Sequence, residues 1–205
     1  MHLPTDVAPL SVQAANAPGT VYVALGANLP GPFASPKAGV LHALERLCAL
    51  PGGRRLHGGG LYRTPAYPAG NGPDFVNAVV AIEADNPAAF IQAAFGIEAE
   101  FNRAEDRKAG RWAPRAIDID IVALGDRIWP DPARHKALRD MAPIDRVLTD
   151  DEIVIPHPAM QERAFVLKPM VFFAPDWRHP ALGKTARDLA LALPRPELEA
   201  VVPLT

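Results

Sequence analysis

Cysteine is nearly absent from this chain: Cys48 is the single one in 205 residues. One thiol excludes a disulfide framework and a cysteine-based zinc site. It falls on the apolar stripe of a predicted helix, where packing is expected rather than reactivity. A strong charge of either sign is absent too. The formal net charge is −2, so nothing draws the whole chain toward nucleic acid or an anionic membrane, and anion binding must come from local clusters. No apolar run is long enough for a membrane span. Residues 1–19 hold no Lys or Arg and no continuous apolar stretch, which argues against a signal peptide. They read as a mobile tail, and the cytoplasm is the expected compartment. The usual nucleotide-loop signatures are missing as well. Gly183-Lys184-Thr185 resembles the end of a P-loop, but the motif needs Gly where Arg178 stands. No Rossmann glycine fingerprint and no internal repeat occurs. The composition, 49% hydrophobic and 21% charged, is that of a globular domain. The length suits one good core, so residues 20–205 are expected to form a single domain, monomeric by default.

The order of elements is legible. Val21-Tyr22-Val23-Ala24-Leu25 is an apolar strand ending in Gly26-Ala27-Asn28. Ser35-Pro36 supplies a cap and a first-turn proline, and Val40, Leu41, Leu44, Leu47 and Cys48 follow at helical spacing. Pro51-Gly52-Gly53 stops that helix. A second strand is expected over 54–63, interrupted by Gly58-Gly59-Gly60, and a third over 75–83. Asn86-Pro87 opens a second helix with Phe90, Ala94, Ile97 and Phe101 on one stripe. The sum is β-α-β-β-α-β, an α+β ferredoxin-like sandwich. Its antiparallel sheet carries the helices on one face, and the other face is left for a ligand or the C-terminal extension. Residues 127–152, rich in Pro, Asp and Arg with little periodicity, read as an inserted surface loop.

The chemistry concentrates in Arg115-Ala116-Ile117-Asp118-Ile119-Asp120-Ile121-Val122. Strict alternation makes this a strand with Ile117, Ile119 and Ile121 on one side, Asp118 and Asp120 on the other. Their Cα atoms are then roughly 6.6 Å apart, a spacing that can serve two divalent cations about 3.5–4 Å from each other. A plain wet face that happens to carry acids is the alternative, although Asp is depleted in strands. Five cations precede the pair: Arg103, Arg107, Lys108, Arg111 and Arg115. Metals on carboxylates with Arg and Lys on phosphate oxygens suit a polyphosphate, whereas a solvated surface segment is the commoner fate of a charged run. Elsewhere, Phe75 and Asn77 share a strand face, so a flat heterocycle can stack on one and be read by the other. A surface Asn on a half-wet strand would look the same. His157 lies between two prolines and either binds phosphate or is simply exposed. Arg163 is a phosphate ligand or a helix-start charge. Trp112 stacks on a base or anchors its loop.

Six segments together resemble the 6-hydroxymethyl-7,8-dihydropterin pyrophosphokinase family of folate biosynthesis. They are Ala24-Leu25-Gly26-Ala27-Asn28-Leu29, Leu61-Tyr62-Arg63-Thr64-Pro65, Pro73-Asp74-Phe75-Val76-Asn77-Ala78-Val79 and Ile97-Glu98, then the run from Arg111 to Asp120 and the run from Ile155 to Phe165. They span nearly all of the chain after the tail. The resemblance implies transfer of pyrophosphate from ATP to the pterin hydroxymethyl oxygen, with release of AMP. It implies that Asp118 and Asp120 bind two Mg2+ ions on the triphosphate, and that Asn77 and Phe165 hold the pterin with help from Phe75, Thr64, Pro65 and Tyr67. Glu98, Arg103, Arg107, Trp112, Arg115, His157 and Arg163 match nucleotide-side positions, with Arg103, Arg107 and Arg115 as catalytic cations. The chain departs from the family at Ala113, where Gly is usual, and at Ala27, where Ser is usual. Glu105 and Asp106 resemble a short insertion, and the tail and residues 127–152 exceed the usual pattern.

Two other readings stay open at this point. A two-metal hydrolase or nuclease would use the same acid pair without a pterin. A silent binding paralogue would keep Asn77 and Phe165 but is expected to lose Asp118 or Asp120, and both are present.

Overall fold

The computed structural model describes residues 18–66, 70, 72–101, 114–143, 145–146 and 152–204. Among them a five-stranded antiparallel sheet runs in the order β4-β1-β3-β2-β5. Its strands are β1 (Gly19–Ala27), β2 (Gly53–Thr64), β3 (Phe75–Ala84), β4 (Asp118–Leu124) and β5 (Val202–Leu204). Helices α1 (Pro36–Cys48) and α2 (Pro87–Phe101) are the two crossovers of the expected β-α-β-β-α-β order. Both start as their sequences dictate. The Ser35 hydroxyl accepts from the Ala38 N–H at 3.2 Å, and the Asn86 side chain accepts from Ala89 N–H at 3.1 Å. Each satisfies an N–H that a helix start leaves without a partner.

Alternation along the strands builds two cores, one on each face. Val21, Val23, Leu25, Val80, Ile82, Ile119 and Ile121 pack with Val40, Leu47 and Ile91 of the helices. Cys48 sits at the margin of this core, and burial pushes its thiol upward, which keeps it protonated and unreactive. Ala24, Val79 and Val122 point the other way. They meet α4 (Ala164–Phe173) and α5 (Ala186–Leu191), through Val166, Leu167, Met170 and Leu189. The C-terminal extension thus covers much of the second face, closing with α6 (Arg195–Glu199) and the edge strand β5. The glycine run in β2 does not end the strand. It shifts the register between Gly58 and Leu61, and Gly59 lets α4 approach: a Cβ there would lie 2.5 Å from the Pro169 carbonyl oxygen.

Residues 127–152 differ from the expected surface loop. Pro132–Asp140 is a helix, α3, whose Asp131 carboxylate accepts from the Ala133 and Arg134 N–H groups at 2.8 and 2.9 Å. His135, Leu138 and Arg146 of this segment are buried. The segment pairs with the chain that follows, since Trp129 and Ile155 exchange backbone hydrogen bonds of 2.7 and 3.0 Å.

His135 and His179 form a buried pair with ring centroids 5.7 Å apart. One nitrogen of each ring is engaged: His135 Nε2 lies 3.0 Å from the Pro156 carbonyl oxygen, and His179 Nδ1 accepts from Ala181 N–H at 3.2 Å. The other nitrogens, His135 Nδ1 and His179 Nε2, are buried without a hydrogen-bond partner. Burial pushes His179 down to about 4 and lowers His135 as well. Both rings are therefore neutral in the fold and take up protons more readily when unfolded. Their contribution to stability is complete above about pH 6.5 and is lost as the pH falls toward 4. We expect the melting temperature to drop through that window and the drop to be shallower in His179→Gln. Superimposable pH profiles of Tm for the two proteins would refute this assignment.

Candidate active site

The open end of the second face is set by one rung of the sheet. Gly26 of β1 is in register with Asn77 of β3 on one side and Asp118 of β4 on the other. Paired residues share a face, so Asn77 and Asp118 flank a position with no side chain. A Cβ on Gly26 would stand 3.0 Å from Asn77 Oδ1 and 3.7 Å from the Phe75 ring. Glycine leaves room for the amide and the ring to lie over the strand. Asn77 is buried and donates from Nδ2 to the Thr64 hydroxyl at 2.8 Å. Its Oδ1 is thereby aimed the opposite way, toward Gly26. Tyr62, in register with Asn77, belongs to a small core against which Phe165 packs. The heterocycle residues expected from the sequence are thus brought to one end of β2, β3 and α4. Pro65 follows at the exposed end of β2. Tyr67 lies outside the described residues.

The acids occupy the neighbouring edge strand. Asp120 pairs in register with Ala24 one step beyond Asp118, so both carboxylates face the same side. Each is met by an arginine. Arg115 Nη1 donates to Asp118 Oδ1 at 2.9 Å, and Arg163 Nη1 donates to Asp120 Oδ2. The Arg163 guanidinium also lies 5.6 Å from the Phe165 ring centroid, a cation–π distance that links the acid side to the ring side. Glu98 reaches the edge of β4 from α2. Its Oε2 accepts the Ile119 N–H at 3.2 Å, and its Oε1 lies 3.6 Å from Arg115 Nη1. An edge strand leaves such N–H groups unpaired, and Glu98 fills one.

Three carboxylates stand close to one another and to two arginines, and each shifts the others. Burial, then the Asp118 charge, pushes Glu98 up to about 8. Burial, then Asp120, raises Asp118 to about 6, against the pull of Arg115 and Arg163. For Asp120, burial acts upward but Arg163, His157 and Arg115 outweigh it and hold the carboxyl below its ordinary range. His157 is fixed by its backbone N–H donating to Val122 O at 2.8 Å and by Nδ1 accepting from Ala159 N–H at 3.0 Å. This leaves Nε2 as the nitrogen that carries the proton of the neutral ring.

Sequence reasoning assigned no role to Asn28. It is buried, accepts from Arg115 N–H at 2.8 Å and donates to the Pro73 carbonyl at 3.2 Å, while the Asn28 and Leu29 N–H groups both donate to Arg115 O at 3.1 Å. It locks the ends of three loops around the acids and holds Arg115 in place. Its signal was its place in the Ala24–Leu29 motif. Arg103, Arg107 and Trp112 lie outside the described residues.

Carboxylates and guanidinium groups side by side can bind a cation on the one and phosphate oxygens on the other. Among the described residues no cluster of three or more His, Cys, Asp or Glu is arranged to hold a metal by itself.

Comparison with known proteins shows the family. Residues 22–175 match the family of 7,8-dihydro-6-hydroxymethylpterin-pyrophosphokinase. A 2-amino-4-hydroxy-6-hydroxymethyldihydropteridine pyrophosphokinase of Methylorubrum extorquens is 35% identical over 157 residues, 76% of this chain and 82% of that protein. Its Pseudomonas aeruginosa counterpart is 33% identical over 175 residues, 85% of this chain and 91% of that one. Among solved structures, wild-type Plasmodium falciparum HPPK-DHPS with SDX-DHP superposes with a TM-score of 0.59 at 15% identity, covering 86% of this chain. This likeness is one of fold, and the chain spans 44% of the length of that structure. The chain belongs to the 7,8-dihydro-6-hydroxymethylpterin-pyrophosphokinase family.

Proposed function

We propose that this chain carries out the reaction of its family through the acid rung just described: pyrophosphoryl transfer from ATP to the hydroxymethyl group of 6-hydroxymethyl-7,8-dihydropterin, in folate biosynthesis. It is an ATP-dependent diphosphotransferase. The observation that carries the residue assignment is the register Asn77–Gly26–Asp118. It puts the Asn77 amide and the Asp118 carboxylate on one face with no side chain between them, which supports a reading in which the first meets the pterin and the second the phosphate side.

In the proposed reaction the hydroxymethyl oxygen attacks the β-phosphorus of ATP. A new O–P bond forms, the bond from that phosphorus to the α,β-bridging oxygen breaks, AMP departs with that oxygen, and the hydroxyl proton is lost. Such transfers are accelerated by in-line positioning and charge neutralisation. Asp118 and Asp120 would hold two Mg2+ ions, which would supply charge neutralisation on the triphosphate. Arg115 and Arg163, which neutralise the two carboxylates in the present structure, would turn to phosphate oxygens when cations take their place on the acids. Glu98 keeps the β4 edge and Arg115 aligned. His157 and Arg163 approach from the Ile155–Phe165 segment, and both favour the charged form of Asp120. Asn77 orients the pterin edge, with Thr64 fixing which way the amide points and Phe75 and Phe165 offering ring faces.

The test is the product. AMP and pterin diphosphate should form together, only when ATP, magnesium and hydroxymethyl-dihydropterin are all present. Release of inorganic phosphate from ATP without the pterin would favour a hydrolase instead. Within the same assay Asn77→Ala is expected to raise the pterin KM by about 30-fold, the cost of a lost buried hydrogen-bond pair of roughly 2 kcal/mol, with the ATP KM little changed. Equal effects on both substrates would remove Asn77 from the pterin side.

A further inference from the structure

The segment that brings His157 and Arg163 to the site is gripped from behind by α3 and by Arg146 beyond it. The grip ends in a buried cation. Arg146 is 3% exposed. Its Nε donates to Leu138 O at 2.9 Å, and its Nη2 donates to Arg139 O and Met141 O, each at 3.0 Å. Nη1 and Nη2 also donate to the two oxygens of Glu162, at 3.0 and 2.9 Å. One guanidinium thus joins carbonyls at the end of α3 and just past it, where a helix leaves acceptors short of donors, to the 3-10 turn Met160–Glu162. The residue after that turn is Arg163, which binds Asp120 and lies over Phe165. At the far end of the same segment His135 contacts the Pro156 carbonyl, one residue before His157.

Helix capping alone does not account for this arrangement. Burying a guanidinium is costly, and a buried ion pair is a weak source of stability against an apolar replacement. Its fork does fix geometry: two parallel bonds to one carboxylate set both the position and the rotation of Glu162. Since Glu162 N–H donates to Ala159 O and Arg163 N–H to Met160 O, a rotation at Glu162 is carried into the backbone from which Arg163 projects.

We infer that Arg146 is a positioning residue for the nucleotide side of the site, acting through Glu162 on Arg163, so that the inserted segment sets the affinity for ATP. The inference rests on the reading of the acid rung given above. Arg146→Met keeps the length and removes the fork, and Glu162→Gln keeps the shape and removes the charge. In Arg146→Met the KM for ATP and the Kd for a non-hydrolysable ATP analogue are expected to rise about tenfold, as for a ligand displaced by a fraction of an ångström. The Kd for the pterin should rise by a smaller factor, about threefold at most, because Asn77 and Thr64 are not in the chain of contacts and only Phe165, beneath Arg163, adjoins it. Arg146→Lys restores the charge without the fork and should remain impaired. Methylguanidinium added to Arg146→Ala should recover part of the affinity.

The deciding measurement is a double-mutant cycle. If Arg146 acts through Arg163, Arg146→Met adds little to the nucleotide defect of Arg163→Ala; full additivity overturns the proposal. A lowered Tm with unchanged nucleotide Kd overturns it too, leaving a structural arginine. Should Arg146→Met fail to fold, Glu162→Gln decides, with about a threefold rise in nucleotide Kd expected and no change refuting the link. If Arg163→Ala itself leaves ATP affinity intact, the reading of the acid rung fails, and that result is distinct from a failure of Arg146 alone.

Discussion

Asp118→Asn and Asp120→Asn are each expected to lower kcat by about a thousandfold, roughly 4 kcal/mol in the barrier, while leaving a folded protein. Asn keeps the shape of the side chain and one acceptor but loses the charge that would hold a divalent cation. The two variants should separate in their melting curves. Asp118 is a carboxyl already pushed upward by burial and by Asp120, so neutralising it relieves repulsion, and Tm should hold or rise. Asp120 is held low by Arg163 and His157, so neutralising it strands the Arg163 guanidinium. That loss, about 1 kcal/mol, should lower Tm by roughly 2–4 °C. AMP formation under saturating ATP and magnesium, with melts on the same preparations, measures both effects. Activity that survives in both variants would rule out the acid pair as the cation site.

The second large effect concerns the scaffold. Gly59→Val is expected to cost about 3 kcal/mol, a Tm loss of roughly 6–12 °C. A Cβ at Gly59 would meet the Pro169 backbone oxygen at 2.5 Å and its Cβ at 2.9 Å. Backbone cannot rotate aside as a long side chain can, so α4 must move off the sheet. Arg163 and Phe165 stand at the N-terminal end of α4, and nucleotide affinity should fall along with stability. Gly60→Ala is the control. It has a φ of 83° with nothing near its missing Cβ, so it carries only the backbone cost of about 1 kcal/mol. Equal melting temperatures for the two variants would show that the close approach of β2 and α4 carries no energetic weight.

What could be read in advance was whatever short-range chemistry specifies. Ser35-Pro36 and Asn86-Pro87 announced their helices, strict alternation announced β4, and the pairing of aspartates with arginines pointed to phosphate. Asp131-Pro132 carries the same cue as the other two helix starts, yet the sequence of α3 reads as loop. Its buried positions are only His135 and Leu138, too few for an apolar stripe, and its order comes from partners distant in sequence. The same holds for Arg146. A lone arginine in a Pro- and Asp-rich stretch looks solvated, and its burial follows from three carbonyls and Glu162 converging on it. The glycine run weakens the strand pattern of β2, because the pattern along one strand does not show that α4 must come close. Asn28 needed the tertiary fold, since its partners Pro73 and Arg115 come from other loops.

The Asn77–Gly26–Asp118 rung has a metric consequence. Neighbouring strands in a sheet are held about 4.8 Å apart by their hydrogen bonds, so the amide and the carboxylate start from backbones separated by about two such steps, near 10 Å. The sheet is then a ruler, graduated by peptide hydrogen bonds, whose marks no side-chain substitution can move. On the reading above, it gauges the distance from the edge of a bicyclic ring to the phosphorus beyond its hydroxymethyl arm. Evolution could vary the loops around this site freely and still keep the gauge, because its scale belongs to the backbone.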